Sequence, residues 1–324
     1  MAMPGRALTS LALVTLVSAA TLAAVRQDVT LRYRWTKGES VRYRFTQEST
    51  STISGLPGGM PDLTIGQTTS QTFKATAQDV AADGTATVEE VVESMKMNMD
   101  SPMGKMGYDS ASTTTPDDPA GTMLKRLFTP MIGASFRVTV APTGEISKVE
   151  GVSQMAEKMF GSVQLDPQME GMLSGAKAVL SDEGMKSMFS QGFGQLPKQA
   201  LKAGETWKAS FTTTNPAIGG LITSVVATLQ GVEGSGADQV ARISTKLTIT
   251  QDPSIKVTNP MGFTIKLGET AGEGEVLFDI AKGRARRAVT RMTMPMAMSG
   301  SGPDGNPMDM RTNVKTTSTI EVVQ

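Results

Sequence analysis

The feature that most constrains this chain is a period of two. Met292, Met294, Met296 and Met298 occupy every second position, and so do Met95, Met97 and Met99. Side chains of an extended strand point alternately to its two faces, so each run sets its thioethers on one face. The same apolar–polar alternation recurs in short runs at 31–35, 41–45, 85–92, 136–140, 224–229, 240–249, 275–280 and 316–322. Asp83-Gly84, Thr143-Gly144 and Lys282-Gly283 stand between runs, where a turn needs a residue with positive φ. Short alternating runs bounded by such turns predict antiparallel strands and hairpins.

The period changes between residues 151 and 195. Asp166-Pro167 reads as an N-cap followed by a first-turn proline, after which Met169, Met172, Leu173, Ala176, Val179 and Leu180 recur at helical spacing. Met155, Met159 and Phe160 mark a shorter helix before it, and Met185, Met188 and Phe189 another after it. A further helix is predicted over 123–131, carrying Leu124, Leu127 and Phe128. Because helices cluster instead of alternating with strands, the expected class is α+β, mainly antiparallel β. Three stretches rich in Gly and Pro, at 55–66, 101–121 and 299–307, read as long loops, the expected places for ligand contact.

Three short matches point to an internal repeat. Lys37-Gly38-Glu39-Ser40-Val41 corresponds to Ala203-Gly204-Glu205-Thr206-Trp207; Ala75, Gln78, Gly84 and Val88 match Ala227, Gln230, Gly236 and Val240 in spacing; and 138–144 resembles 278–283 with one residue dropped. Their shared order predicts two related curved-sheet units, 29–150 and 200–324, separated by a helical segment at 151–199.

The N-terminus reads as an export signal over 1–24. Arg6 provides a basic start, 7–25 is uncharged, and small residues suit cleavage between Ala20 and Ala24. A retained anchor is the alternative. The expected location is secreted or periplasmic. The chain has no cysteine, so the fold must be held by its core without disulfides. Its 31 basic and 31 acidic residues cancel, which argues against nucleic acid as a partner.

The stretch 31–45, the Met-rich run 91–109, and Leu196-Pro197 followed by Lys202-Ala203-Gly204-Glu205-Thr206-Trp207 together resemble a family of exported bacterial proteins known as domain of unknown function six-two-six-three. The resemblance covers essentially the whole chain after the signal. It implies a secreted, mostly β protein and brings no catalytic residues with it.

With neither histidine nor cysteine, the chain cannot assemble a Ser-His-Asp or Cys-His pair, nor a zinc site of imidazole or thiolate. Soft thioethers select Cu(I), so Met292, Met294, Met296 and Met298 form a candidate metal set; the competing reading is that they fill an apolar face. Met95, Met97, Met99, Met294 and Met296 are candidates for lining an apolar groove. Glu89 and Glu90 are adjacent and should face opposite sides of a strand, Asp117-Asp118 lie in a Pro-rich stretch, and aromatic platforms for a sugar are scarce, so a carboxylate-dependent hydrolase is the third choice. Asp304, Asn306 and Asp309 lack the spacing of a calcium loop and read as a hairpin turn. Arg284, Arg286 and Arg287 read as a solvated strand edge. No cofactor is expected. The function expected is that of a non-enzymatic exported scaffold binding a protein partner, or alternatively a carrier of a lipid or other apolar small molecule; a hollow sheet interior would favour the carrier.

Overall fold

The computed structural model describes residues 28–102, 104–113, 119–161, 180–192, 195–215, 218–255, 264–301 and 307–324. The predicted signal peptide, most of the predicted helix after Asp166, the Asp117-Asp118 pair, and Asp304 with Asn306 lie outside the described residues.

Strands dominate, as the period of two requires. In chain order they are β1 Ser40–Ser54, β2 Leu63–Val80, β3 Ala86–Ser101, β4 Gly104–Asp109, β5 Ser135–Val140 and β6 Ile146–Glu150, then β7 Thr206–Asn215, β8 Gly219–Glu233, β9 Val240–Asp252, β10 Thr264–Leu267, β11 Thr270–Asp279, β12 Arg284–Ser301 and β13 Pro307–Val323. Helices α1 Pro119–Phe128, α2 Val152–Gly161 and α3 Asp182–Gly192 fall in or beside the stretches with helical spacing. All strand pairs are antiparallel, and the 13 strands form one open curved sheet in the order β6-β5-β3-β2-β1-β13-β12-β11-β9-β8-β7, with β4 on β3 and β10 on β12.

The two halves are parts of one continuous sheet. The last strand, β13, pairs with β1 from Arg42↔Val323 to Ser54↔Arg311 and with β12 on its other side. This ladder satisfies two rows of backbone groups that separate sheets would leave on exposed edges.

Within the single sheet the two halves repeat in order and polarity: β1-β2-β3-β5-β6 corresponds to β7-β8-β9-β11-β12. The entrances match in detail. Gly38 N–H donates to Ala77 O (2.8 Å) and Gly204 N–H to Leu229 O (2.7 Å); Ala77 N–H returns a bond to Glu39 O and Leu229 N–H to Glu205 O. Each Glu also accepts from a backbone N–H three residues upstream, Thr36 at 3.2 Å and Lys202 at 2.8 Å. Both glycines have positive φ, 82° and 88°, which explains why glycine precedes Glu at each entrance. Bulges fall at the matching glutamines, Gln78 on β2 and Gln230 on β8.

Three predicted boundaries move. Residues 31–35 form no strand: they cross the end of the sheet, with Val29 bridging Leu201, Tyr33 N–H on Pro142 O and Arg34 N–H on Gly283 O. Their backbone groups go to turns instead of a ladder, while Leu31 fills the core. The stretch 55–66 is shortened because β2 begins at Leu63, and 101–121 contains β4 and the start of α1.

Two apolar clusters fill one end of the sheet's inner face. In the first, Ala75, Val88, Phe136, Val138 and Val149 pack with Val152 and Met155 of α2 and Met185 of α3. In the second, Leu229, Ile243 and Phe278 pack with Leu31, Leu196 and Leu201 from the crossing segments. Helix α3 packs against both edge strands, β6 and β7, so one helix spans the gap between the ends of the curved sheet. Phe189 of α3 stacks on Phe136 with centroids 5.5 Å apart. The Asp182 carboxylate at the start of α3 accepts from the Val152 and Ser153 N–H groups, capping α2 and tying the two helices together.

Candidate functional site: a trough on the concave face

Beyond the clusters the same face is not filled. A cavity of about 1350 Å³ lies there, lined at each of eight strands by three consecutive residues. The middle residue of each triplet is half-buried and the flanking ones are nearly all exposed on the other face. The middle residues form one row in register. Met106 of β4 lies opposite Met99, Met99 opposite Gln67, and Gln67 opposite Ser49. From Ser49 the row continues through Thr316, Met292 and Gly272 to Leu247 of β9. Four strongly apolar side chains and three neutral polar ones thus ring the trough. Gly272 keeps the wall thin, since a Cβ there would stand 3.0 Å from two Leu247 side-chain carbons.

The two methionine stripes come to the same face but in different roles. Met95 and Met97 are buried beside the filled end, with Gln71 Nε2 3.6 Å from the Met95 sulfur, while Met99 reaches the ring. On β12, Met292 is in the ring, and Met294, Met296 and Met298 continue past it toward the open end, each half-buried. Their cross-strand partners are Val314, Thr312 and Met310, and Met296 and Met298 also face Leu267 and Ile265. Met298 and Met310 are direct partners, so the thioethers most able to share a soft Cu(I) ion stand at the rim, on two strands instead of one.

No residue of the middle row is ionisable, so that row offers hydroxyl and amide hydrogen bonds and apolar contact; charged members of the lining, among them Glu48, Asp100, Lys246 and Arg291, flank it. The titratable groups of interest sit deeper. Glu89 and Glu90 face opposite sides of β3, as alternation requires: Glu89 accepts from Gln78 Nε2 at 2.8 Å outside, and Glu90 is buried between Ala75 and Phe136. Burial pushes the Glu90 carboxyl up to about 7. Burial also raises Tyr43 far above the ordinary phenol value, with Arg284 opposing and Glu90 and Glu39 adding to the rise.

Arg284, Arg286 and Arg287 are not a strand edge. Strand β12 is central, and these three arginines are paired: Arg284 with Glu39, Arg286 with Asp279 at 2.9 Å and Arg287 with Glu321 at 4.0 Å. Asp279 is fully buried; desolvation raises its pKa, but the Lys282 N–H and the Arg286 guanidinium outweigh it and hold the carboxyl below the usual carboxylate range. Sequence reasoning found the methionines by their spacing but missed Ser49, Gln67 and Thr316. Their only signal is the strand register, which exists once β1, β2 and β13 are paired.

Fold and site together define an antiparallel β trough, closed by helices at one end. Residues 83–283 match the Family of unknown function (DUF6263), and the chain belongs to that family. No curated protein matches. Among solved structures, one described as lipid–protein interactions in lipovitellin is similar at 10% identity over 90% of this chain, with a TM-score of 0.42; this chain spans 26% of its length. DynF from the dynemicin biosynthesis pathway of Micromonospora chersina is similar at 9% identity over 97% of this chain and 92% of its own, with a TM-score of 0.20. Pseudomonas aeruginosa OpdQ gives 7% identity, 88% and 100% coverage and a TM-score of 0.23. These likenesses are too distant to carry any statement about what this chain binds. Among the described residues no helix is long and apolar enough to cross a membrane.

Proposed function

We propose that the chain is an exported, non-enzymatic binding protein whose concave trough holds the apolar part of a small molecule, such as a lipid acyl chain. The observation that carries this reading is the unfilled ring, in which half-buried Met99, Met106, Met292 and Leu247 surround a cavity of about 1350 Å³. Ligand pockets are concave, mostly apolar and sparsely polar, and the ring has that composition. An acyl chain entering it would complete the burial of side chains that protein atoms leave half-exposed, at roughly 25 cal/mol per Å² of apolar surface removed from water. A carboxylate-dependent hydrolase finds less support, because the acidic residues among the triplets, Glu48, Asp100 and Glu273, are ring neighbours on the exposed face. The signal-like residues 1–24 support export, and N-terminal sequencing of the recovered protein should begin just after Ala20 to Ala24.

The test is displacement of a fluorescent fatty-acid probe, with native mass spectrometry of the protein as purified from its natural host. Wild type should bind the probe saturably. Ser49→Trp, which places a large ring inside the hoop, should weaken binding at least tenfold while leaving the unfolding midpoint within a few degrees. Probe binding unchanged by Ser49→Trp, or no binding by wild type, would sink the proposal.

A further inference from the structure

A second cleft, of about 570 Å³, lies where β10, β12, β13 and β1 are side by side; ten of its thirteen lining residues alternate to the convex face, and Leu267, Met296 and Thr312 alternate to the concave one. Its register is fixed by the ladders. Lys266 lies opposite Ala297, Ala297 opposite Arg311 and Arg311 opposite Ser54; one step along, Asn313 lies between Pro295 and Thr52, and next Lys315 lies between Thr293 and Thr50. Alternation puts Lys266, Arg311, Asn313 and Lys315 on one face. Arg311 and Lys315 are four positions apart on β13, about 13 Å, and Lys266 is two strands from Arg311, about 10 Å. Small or short residues, Ala297 and Pro295, form the floor between them.

Three cations thus converge on one concavity whose lining contains no carboxylate. Among the described residues none of the three takes part in an ion pair, whereas the arginines nearer the filled end of β12 are paired. Asp309, two residues before Arg311 on the same face, lies outside the lining. The hydroxyls of Thr50 and Thr52 and the Asn313 amide add neutral donors beside the charges. Long basic arms around short hydroxyl and amide donors match an oxyanion with several acceptor oxygens, and the Arg311 fork suits two of them at once.

From this arrangement we infer that the convex cleft binds a phosphate-type oxyanion, either free or as the headgroup of an anionic lipid. Its three basic side chains stand on the other face of the sheet from the row that rings the trough, and Thr50 and Lys315 border both cavities. An anion there relieves the mutual repulsion of Lys266, Arg311 and Lys315, and its binding should weaken as salt rises.

The experiment uses the full chain without its signal, titrated calorimetrically with inorganic phosphate and sedimented with vesicles of phosphatidylglycerol or of phosphatidylcholine. Binding of phosphate without vesicle binding identifies the free anion as ligand. Binding to phosphatidylglycerol but not phosphatidylcholine identifies the headgroup. In either case the double substitution Lys266→Gln and Arg311→Gln should weaken binding at least tenfold, and Lys266→Gln alone should weaken it less. An unchanged unfolding midpoint and unchanged fatty-acid probe binding in these variants show that fold and trough are intact. The inference is overturned if wild type binds neither phosphate nor phosphatidylglycerol vesicles, or if the double variant binds as wild type does.

Discussion

The two ends of the concave face share strands, register and alternation, yet only one is a core. Along β3 the inward side chains Val88, Val92, Met95 and Met97 are buried, while Met99 on the same face is half-exposed. Along β9, Ala241 and Ile243 are buried, while Leu247 on the same face is half-buried. What differs is the cover. Segments 28–38 and 195–201, with α2 and α3, lie over the first end, while beside the second α1 packs on the edge of the ring at β4, where Phe128 meets Tyr108. An alternating pattern selects which side chains share a face, and tertiary cover decides whether that face becomes core or binding surface.

The sharpest way to break this comparison is to cut a large side chain from each end. Phe278 is 1% exposed and meets the Tyr33 ring edge-on at 5.6 Å. Phe278→Ala should therefore cost about 3–5 kcal/mol, transfer and cavity terms together. Met292→Ala, at the ring, should cost about 1 kcal/mol or less, because its side chain already meets solvent. Denaturant unfolding of the two variants measures both, and equal losses would mean that the trough is packed like the core.

The next effect is a pH dependence confined to the filled end. Glu90 has its carboxyl raised to about 7 against an ordinary 4.5. A raised folded value means that the proton is held more tightly in the native state. The stabilising contribution is complete below about pH 4.5, falls as the unfolded state ionises, and is lost once pH passes about 7. The size is on the order of 3 kcal/mol between those limits. Glu90→Gln should flatten the stability profile from pH 5 to pH 8; a profile as steep as that of wild type would place the titrating group elsewhere.

Much of this fold was legible in the sequence because its signals are local. The two-residue period located most strands, Gly84, Gly144 and Gly283 marked turns that do have positive φ, and the Gly-Glu pairs marked two entrances with the same hydrogen bonds. Segment 31–35 misled because alternation reports only an inward face, and Leu31 is inward without belonging to a ladder. The fusion of both halves into one sheet was hidden because the β1–β13 pairing joins residues at opposite ends of the chain. The methionine wall could be read, while the polar members of the ring and the three unpaired cations of the convex cleft depend on which strands become neighbours.

The smallest effect concerns Met294, on the concave face one row beyond Met292 and paired with Val314. If its task is to supply apolar surface, Met294→Leu nearly conserves volume and should change stability by less than about 1.5 kcal/mol. The fatty-acid probe should bind the variant about as well as wild type, since a branched aliphatic chain offers the trough similar apolar area. A Cu(I) site built on the β12 stripe requires a different result. Leucine cannot ligate a metal, so the variant would fold normally and lose a coordination bond. Titrating Cu(I) under reducing conditions into both proteins decides between them. Micromolar or tighter binding that the variant loses would assign the open end to a metal. Probe binding retained by both proteins, with no Cu(I) bound by either, leaves the uncovered end as an apolar surface awaiting a ligand, in contrast to the covered end that the chain fills itself.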